Sequence, residues 1–467
     1  MLHISTRGEA PEVSFIDAML TGLARDGGLY VPRDLPTFDA ATIAGWAGQS
    51  YEEIAGHVLG ALTGGEIPRD VLASMIHDAY ATFRHDAVCP LVQLDDNLFL
   101  LELFHGPTLA FKDVAMQLLG RLMDYALKQR GARATIVGAT SGDTGSAAIE
   151  AFRGLEQVDI FILYPHNRVS DVQRRQMTTV DAPNVHTIAL EGTFDDCQNM
   201  LKALFNDHAL RDGLSLSGVN SINWARIIAQ TVYYFTAGLS LGSPHRSVSF
   251  VVPTGNFGDV LAGYVAKQMG LPIERLHVAT NVNDILVRAL ETGRYDLREV
   301  TPTSAPSMDV QISSNFERLL FDAYGRDSDS VRGLMDQLRQ SQAFTIEQGA
   351  LSRIRAEFDA SAVSQAETEA EITSTWSNAG YVLDPHSAIA VHAARGALSR
   401  DPATPVVALA TAHPAKFPAV VENATGIHPA LPAHLADLFE RSERTVVLPN
   451  NQATIEAYIR QHARAGQ

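Results

Sequence analysis

Short apolar runs alternate with longer amphipathic stretches along most of the chain. The runs have the length of strands, are rich in β-branched residues, and are each followed by a turn and a helix-like segment. They cover residues 135–140, 158–164, 185–190, 248–252, 276–280 and 406–410. Because strands that alternate with helices form parallel sheets covered on both faces, the pattern predicts an α/β fold. Ligands in such folds bind at the carboxyl ends of the strands.

The first 88 residues depart from this pattern. They contain helix-like stretches and few strand-like runs, which predicts a mostly helical N-terminal segment. Residues 360–371, rich in Ala, Ser, Thr and Glu, predict an exposed helix or connection. At roughly 150 residues per domain, a chain of 467 residues corresponds to two or three domains.

Composition and charge indicate a globular protein and argue against nucleic-acid binding. Hydrophobic residues make up 46% and charged residues 19%, which is typical of a globular protein with large cores. The net charge of −17 repels phosphate backbones and so argues against a nucleic-acid partner. Only two cysteines, no apolar run of membrane-spanning length and no apolar signal core predict a cytoplasmic protein with no membrane partner.

The glycine-containing loop at residues 253–259 is the sharpest local feature. It follows the strand-like run 248–252 and opens a helix-like run at 260–266. The unpaired N–H groups and the dipole at such a helix start favour an anion, and Gly255 and Gly258 allow the backbone to approach it closely. The loop matches neither a Walker motif nor the dinucleotide fingerprint. An ordinary βα turn explains the glycines equally well.

A second turn of this kind lies at residues 140–145. The hydroxyl and amide groups of Ser141, Gly142 and Thr144 are suited to hold a carboxylate. A plain turn in which Ser141 or Asp143 caps the following helix fits the same residues.

Lys112 is the lysine whose neighbours in the sequence suggest a chemical role. It lies between Leu109, Ala110 and Phe111 on one side and Val114 to Met116 on the other. Burial in apolar surroundings lowers the pKa of a lysine, which suits it to form a Schiff base or to act as a general base. A lysine at a helix start whose amine reaches solvent fits the same pattern.

The sequence predicts neither a hydrolase nucleophile nor a metal site. Residues 238–242 match the nucleophile elbow of hydrolases around Ser240, but the preceding residues predict a helix where the elbow needs a strand. The histidines and cysteines show no metal-binding spacing, so no metal site is predicted. His105, His386 and His413 lie near other motifs, and structural roles are favoured for them.

Several segments together resemble the threonine synthases, a branch of the tryptophan-synthase-like, fold type II group of pyridoxal-phosphate enzymes. The resemblance spans most of the chain, which makes it far more specific than any single loop. It is carried by residues 14–17, 22–32, 105–113, 139–145, 220–226, 307–318 and 411–417.

The resemblance implies an α/β fold with two doubly wound parallel-sheet domains, the cofactor between them, and a mostly helical N-terminal domain. The expected boundaries are 1–88 for the N-terminal domain, 89–130 and 216–467 for the large cofactor domain, and 131–215 for a smaller inserted domain. A monomer is expected. The implied substrate is O-phospho-L-homoserine, which reacts with water to give L-threonine and phosphate.

The resemblance also implies residue roles. Lys112 carries pyridoxal phosphate and then serves as the base. Thr411 bonds the pyridine nitrogen, and Asp143 stands where many relatives outside this family have an Asn near the phenolic oxygen, so its protonation state is open. The expected cofactor-binding residues are Lys112, Asp143, Gly255, Asn256, Phe257, Gly258, Asp259 and Thr411. The expected substrate-binding residues are Ser141, Gly142, Thr144, Asn223, Arg226 and Lys416.

Two alternatives stay open on these grounds. A serine or threonine dehydratase would share the fold and Lys112, although the long N-terminal segment and residues 220–226 favour the synthase. A catalytically silent homologue that binds a phosphorylated ligand is the other, and the presence of Lys112, Thr411 and the glycine loops argues against it. For Arg226 and Lys416, a surface ion pair is the alternative to contact with the substrate phosphate.

Overall fold

The computed structural model of the chain describes residues 1–466, in which the apolar runs form strands. All six runs singled out in the sequence are strands, which confirms the predicted pattern. The strands are β1 (His3–Ser5), β2 (Tyr30–Pro32), β3 (Leu91–Asp95), β4 (Leu98–Glu102), β5 (Ala134–Ala139), β6 (Val158–Pro165), β7 (Val185–Glu191), β8 (Leu216–Ser217), β9 (Val248–Pro253), β10 (Ile273–Thr280), β11 (Arg294–Asp296), β12 (Ala343–Thr345), β13 (Phe358–Ala362), β14 (Val406–Ala410) and β15 (Val446–Pro449).

Helices follow most of these strands, as parallel connections require. They are α1 (Phe15–Thr21), α2 (Ala40–Ala44), α3 (Tyr51–Leu62), α4 (Arg69–Tyr80), α5 (Lys112–Gln129), α6 (Asp143–Phe152), α7 (Asp171–Thr178), α8 (Phe194–Asn206), α9 (His208–Gly213), α10 (Trp224–Ser240), α11 (Gly258–Gln268), α12 (Ile285–Thr292), α13 (Phe316–Ala323), α14 (Ser328–Ser341), α15 (Gln348–Glu357), α16 (Gln365–Ala379), α17 (Pro385–Arg400), α18 (Pro418–Thr425) and α19 (Gln452–His462). Short 3-10 helices cover Pro306–Met308, Pro414–Lys416 and Ala433–Leu435.

The first of two contact-defined units comprises residues 1–77, 83–105 and 221–429. Its sheet has the strand order β13-β10-β9-β14-β4-β3, in which β3 alone runs antiparallel to its neighbour. Ala410 at the end of β14 pairs with Glu102 at the end of β4, and Pro253 at the end of β9 pairs with Ala279. The residues that follow β4, β9 and β14 therefore leave the sheet at the same edge.

The second unit comprises residues 78–82, 106–220 and 430–467, described to residue 466. Its sheet is parallel throughout, with the order β15-β7-β6-β5-β8. Phe161 and Leu163 from β6 pack with Ile455 and Ile459 from α19 in its core. β6 is buried along its whole length, as expected for the centre of a parallel sheet covered by helices on both faces.

The two sheets, parallel except at β3, and the helical character of the first 88 residues agree with the expected fold class. The expected boundaries of three domains remain predictions, but two features bear on them. Residues 1–77 group with the first unit, and β15, expected in the large domain, pairs with β7 in the second. A four-residue edge strand with a half-exposed pattern carries too weak a signal to assign it to a sheet from sequence.

The interpretation of residues 360–371 as an exposed helix or connection was wrong in part. The segment contains the end of β13, which pairs with β10, and the start of α16, where Thr368 and Glu371 are buried. Its small polar residues are tolerated because β13 is an edge strand. Within residues 1–466, no helix has the length and apolar character needed to cross a membrane.

Candidate active site

Lys112 is the first residue of α5 in the second unit. Its side chain is only 11% exposed, so the alternative of an amine that reaches solvent does not hold. Its Nζ lies 3.6 Å from Oδ2 of Asp143 and 5.3 Å from the centre of the Phe111 ring. A buried primary amine therefore faces a carboxylate at the carboxyl end of β5.

The turn before Lys112 is fixed by Asp113. The carboxylate of Asp113 accepts hydrogen bonds from the main-chain N–H (2.8 Å) and the hydroxyl (2.7 Å) of Thr108. Gln176 from α7 donates to the carbonyl of Thr108 at 3.1 Å. A Cβ on Gly106 would lie 2.5 Å from the Cβ of Asp113, so only glycine allows this close approach. These contacts determine where α5 begins and hence where Lys112 points.

Asp143 is the first residue of α6. Its Oδ1 accepts a 2.8 Å hydrogen bond from Nε2 of Gln173, while Oδ2 faces Lys112. The expectation that Ser141 or Asp143 caps α6 was wrong, because the cap position is occupied by Gly142, which has no side chain. The hydroxyl of Thr140 instead accepts from the N–H groups of Gly142 (3.0 Å) and Gly145 (2.9 Å).

The neighbouring candidate residues differ in exposure. Ser141 is exposed and Thr144 is half-buried, so both hydroxyls are accessible from outside the unit. Gly142 is buried with φ of 146°, a left-handed conformation that favours glycine. The turn thus combines an exposed hydroxyl with a carboxylate that is held in place.

The glycine loop of the first unit joins β9 to α11 and confirms the predicted strand, turn and helix start. Phe257 adopts a left-handed conformation with φ of 60°, and its buried ring packs against Phe316 at 5.4 Å between centroids. A Cβ on Gly255 would lie 2.7 Å from the carbonyl oxygen of Ser307. The first N–H groups of α11 point out of the helix end, as an anion site requires.

Residues 313–318 hold the glycine loop in place. Asn315 donates from its side chain to the carbonyls of Asn256 and Ser221, both at 3.0 Å. Ser313 donates from its hydroxyl to the carbonyl of Gly255 at 2.7 Å. Arg318, which is 2% exposed, donates in turn to the side-chain oxygen of Asn315. The resemblance pointed to this segment, but no local pattern showed which of its residues contact the loop.

Asp259 follows the loop but directs its side chain away from the helix end. Its Oδ1 accepts hydrogen bonds from the hydroxyls of Tyr233 and Tyr234 on α10, and Oδ2 has no hydrogen-bond partner within residues 1–466. Burial raises the pKa of Asp259 to about 6, although the two tyrosine hydroxyls act in the opposite direction. Any contact of Asp259 with an anion at the loop would use its main-chain N–H.

Asn223 precedes α10 as its N-cap, and Arg226 follows three residues later. The side chain of Asn223 accepts from the N–H of Ala225 at 3.0 Å and donates to the carbonyl of Met19 at 2.8 Å. Arg226 lies in the first turn and is 4% exposed, so the surface ion-pair alternative fails. Its guanidinium makes no hydrogen bond or ion pair within residues 1–466, and burial lowers its pKa to about 10.

Thr411 and Lys416 follow β14 at the same edge of the sheet. Thr411 is 6% exposed, and its hydroxyl makes no hydrogen bond with any residue from 1 to 466. Lys416 is 1% exposed, so the surface ion-pair alternative fails for it as well. Between them, Nδ1 of His413 accepts from the N–H of Ala415, and burial lowers the pKa of His413 to about 4. His413 is therefore neutral at physiological pH.

His105 and His386, the other two histidines near motifs, have hydrogen-bond partners within the protein. His105 bonds Glu102 at 2.7 Å, and His386 bonds Asp384 at 2.7 Å while accepting from the N–H of Ser307. Ser240 lies at the end of α10 and donates to the carbonyl of Thr236, which confirms a helix end in place of a nucleophile elbow. No group of His, Cys, Asp or Glu within the described chain is suited to hold a metal ion.

Three family models match the chain, and together they cover most of it. Residues 2–80 match the threonine synthase N terminus, residues 87–337 match the pyridoxal-phosphate dependent enzymes, and residues 387–459 match the threonine synthase C-terminal model. The N-terminal model covers the helical segment whose length favoured the synthase over a dehydratase.

Relatives agree with these models over the full length. A threonine synthase from Pseudomonas aeruginosa is 55% identical over 468 residues and is covered completely, as is this chain. A crystal structure of pyridoxal-phosphate-bound threonine synthase from Brucella melitensis matches with 62% identity, a TM-score of 0.98 and complete coverage of both chains. The yeast threonine synthase structure matches with 40% identity and a TM-score of 0.94, over 99% of this chain and 98% of the yeast chain. The chain belongs to the threonine synthase family of pyridoxal-phosphate-dependent enzymes.

Proposed function

We propose that the protein converts O-phospho-L-homoserine and water to L-threonine and phosphate, the last step of threonine biosynthesis. The observation that carries the proposal is the buried amine of Lys112, 3.6 Å from the carboxylate of Asp143, in a chain of this family. A lysine shielded from water is suited both to bind a carbonyl carbon and to move protons.

The residues present fit pyridoxal phosphate. A lysine at the carboxyl end of a parallel sheet suits its aldehyde, and the start of α11, where Gly255 leaves no room for a Cβ, suits its phosphate. The hydroxyl of Thr411, which has no partner within residues 1–466, suits the pyridine nitrogen. When bound, the cofactor supplies an electron sink for the carbanions that form at the substrate's α and β carbons.

Two sets of residues are assigned to the cofactor. The main-chain N–H groups of Gly255, Asn256, Phe257, Gly258 and Asp259 hold the phosphate, and Asp143 lies near the phenolic oxygen. A neutral hydroxyl from Thr411 does not keep the ring nitrogen protonated, as a carboxylate would. More of the stabilisation of developing charge must therefore come from other groups.

Hydrogen-bond donors and cationic side chains are assigned to the carboxylate and the phosphate of the substrate. Ser141, Gly142 and Thr144 hold the α-carboxylate through hydroxyl and N–H donors. Arg226 and Lys416 hold the phosphate, and the buried, unpaired guanidinium of Arg226 supports this assignment because a charge in that setting needs an anion. Asn223 contributes indirectly, because its side chain caps the helix that carries Arg226.

Lys112 moves the protons of the reaction. As a free amine, its Nζ would remove the proton from Cα and then one from Cβ, and phosphate would leave from Cγ. Water adds as hydroxide at Cβ, and its other proton leaves with the phosphate. One proton returned to Cγ completes the methyl group of threonine, and one returned to Cα restores the amino acid. One mobile amine serves several of these transfers because they occur at adjacent carbons.

The test is a time course with cofactor-loaded protein and O-phospho-L-homoserine in which phosphate and threonine are followed together. The proposal expects equal amounts of the two products and no formation with Lys112→Ala. Phosphate without threonine, or 2-oxo acid from serine or threonine with no turnover of O-phospho-L-homoserine, would contradict it.

We further propose that the protein works in the cytoplasm as a monomer. Its net charge of −17 disfavours close approach of like copies, and both cysteines are buried and free, as in a reducing compartment. Light scattering during size-exclusion chromatography should give a mass near 50.5 kDa. Twice that mass would contradict the monomer.

A further inference from the structure

Gln173 on α7 contacts Asp143 from the side opposite to Lys112. Its side chain is 7% exposed, and its Nε2 donates to Oδ1 of Asp143 at 2.8 Å. Its Oε1 accepts from the hydroxyl of Ser170, the cap of α7, at 2.9 Å. Both ends of the amide are thus occupied, one by a hydroxyl and the other by a carboxylate.

Gly142 makes room for this amide. A Cβ at position 142 would lie 2.4 to 2.6 Å from the amide atoms of Gln173, so any side chain there would displace the glutamine. The left-handed backbone at Gly142 places the next residue, Asp143, within reach of Nε2. The contact is therefore built into the turn, and Gln173 is not a surface residue that happens to touch it.

The direction of the hydrogen bonds determines which form of Asp143 is favoured. Ser170 donates to Oε1 and the NH₂ group of Gln173 faces Asp143, to which an NH₂ group can only donate. A donor stabilises a carboxylate over a carboxylic acid. The ammonium form of Lys112, on the other oxygen, acts in the same direction.

We propose that Gln173 is a positioning residue that keeps Asp143 ionised and holds its Oδ2 toward the amine of Lys112. The role of Lys112 rests on the proposed function, whereas the contact between Gln173 and Asp143 does not. The other charged residues of α7 are directed elsewhere: Arg174 pairs with Asp171 and Glu443, and Arg175 pairs with Glu443.

Two substitutions of Gln173 separate the effect of charge next to Asp143 from the effect of side-chain packing. Gln173→Glu places a second carboxyl group against Asp143, so the two must share a proton near neutral pH. Gln173→Met removes the donor at similar length. Thr178→Val is the control, since Thr178 is a buried polar residue on the same helix whose hydroxyl donates to Glu443 instead. Ser170→Ala, at an exposed position, frees the amide of Gln173 to turn and perturbs the core least.

The experiment is a pH titration of the visible absorbance of the cofactor-loaded wild type and variants. A second readout follows the pH dependence of Lys112 modification by an amine reagent in the cofactor-free proteins, by peptide mass spectrometry. We expect both midpoints to shift by about one pH unit or more in Gln173→Glu. Smaller shifts are expected in Gln173→Met and Ser170→Ala, and none beyond a few tenths of a unit in Thr178→Val.

Unchanged titrations in all Gln173 and Ser170 variants, or an equal shift in Thr178→Val, would overturn the proposal. The cofactor-free readout does not depend on catalysis. A failure of the proposed function would therefore show as lost turnover with the Lys112 shifts intact, and a failure of this inference as intact turnover without the shifts.

Discussion

Arg226 and Asp259 are buried on α10 and α11, and each lacks part of the pairing that its charge needs. The guanidinium of Arg226 has no partner within residues 1–466, and Oδ2 of Asp259 has none either. An unpaired buried charge costs several kcal/mol, a cost that is removed when a ligand of opposite charge binds. Buried residues of this kind therefore lower the stability of the protein, and they are expected where a ligand binds or a loop must be held in place.

Replacing Arg226 with Met should weaken substrate binding and raise the stability of the ligand-free protein. We expect KM for O-phospho-L-homoserine to rise by about 10- to 100-fold, because a charge-assisted hydrogen bond contributes about 1.5–3 kcal/mol. The ligand-free protein should become more stable, since the unpaired charge is gone. Kinetics and thermal unfolding with and without inorganic phosphate measure both effects. An unchanged KM together with a lowered Tm would contradict the assignment of Arg226 to the phosphate.

Asp259→Asn should change how stability depends on pH. Burial raises the pKa of Asp259 to about 6 from its ordinary value of 3.8, so the folded state holds the proton more tightly than the unfolded state. The wild type therefore loses stability as pH rises through this window, and the Asn variant does not. We expect the variant's stability relative to wild type to improve by about 1 kcal/mol between pH 5 and pH 8 in urea unfolding. A constant difference across this range would show that Asp259 does not titrate there.

At the scale of elements, α13 joins three separate parts of the first unit. Arg318 donates to the side chain of Asn315, to the carbonyl of Tyr30 in β2, and to the carbonyl of Ile222 just before α10. Asn315 in turn holds the glycine loop through Asn256. β2, the residues before α10 and, through Asn315, the glycine loop before α11 thus depend on one buried guanidinium with several donors in its plane.

Arg318→Lys should therefore weaken cofactor binding although it keeps the charge. A lysine cannot bond three acceptors in the guanidinium plane, so we expect a loss of about 2–3 kcal/mol of stability and at least about a fivefold higher Kd for pyridoxal phosphate. Arg326→Lys is the control, because Arg326 donates to the carbonyls of Pro32 and Arg33 but not to the loop. Equal cofactor affinities in the two variants would contradict the connection through Arg318.

At the scale of the whole molecule, the chain contributes to each unit from distant segments. The last described residues complete the second unit, where β15 pairs with β7, Ile455 and Ile459 enter the core, and Arg464 pairs with Asp159 at 2.7 Å. The second unit therefore forms its full sheet and core only with the C-terminal segment in place.

Ile455→Ala should destabilise the second unit selectively. Truncating a buried isoleucine costs about 2–5 kcal/mol. Trp46, Trp224 and Trp376 all lie in the first unit, so tryptophan fluorescence reports on that unit while far-UV circular dichroism reports on both. In urea, we expect the dichroism signal of the variant to fall before the fluorescence changes. Coincident transitions would show that the two units unfold as one, contrary to this expectation.

The sequence predicted the features that depend on nearby residues. The strands and the start of α11 follow from local periodicity, whereas the apolar neighbours of Lys112 left open whether its amine is buried or reaches solvent. Contacts between distant residues could not be predicted in this way. Gln173 lies 30 positions from Asp143, and Asn315 lies 59 positions from Asn256, so their pairing depends on how helices pack. The resemblance pointed to residues 307–318, but it did not show which of their atoms contact the glycine loop.

The most direct test of the account is to locate the cofactor on the chain. Cofactor-loaded protein is reduced with borohydride, digested, and examined by mass spectrometry for a lysine that carries the reduced cofactor. The chain has five lysines, Lys112, Lys128, Lys202, Lys267 and Lys416, and the account predicts modification of Lys112 alone. Modification of Lys416 or of any other lysine, with Lys112 unmodified, would contradict the central claim.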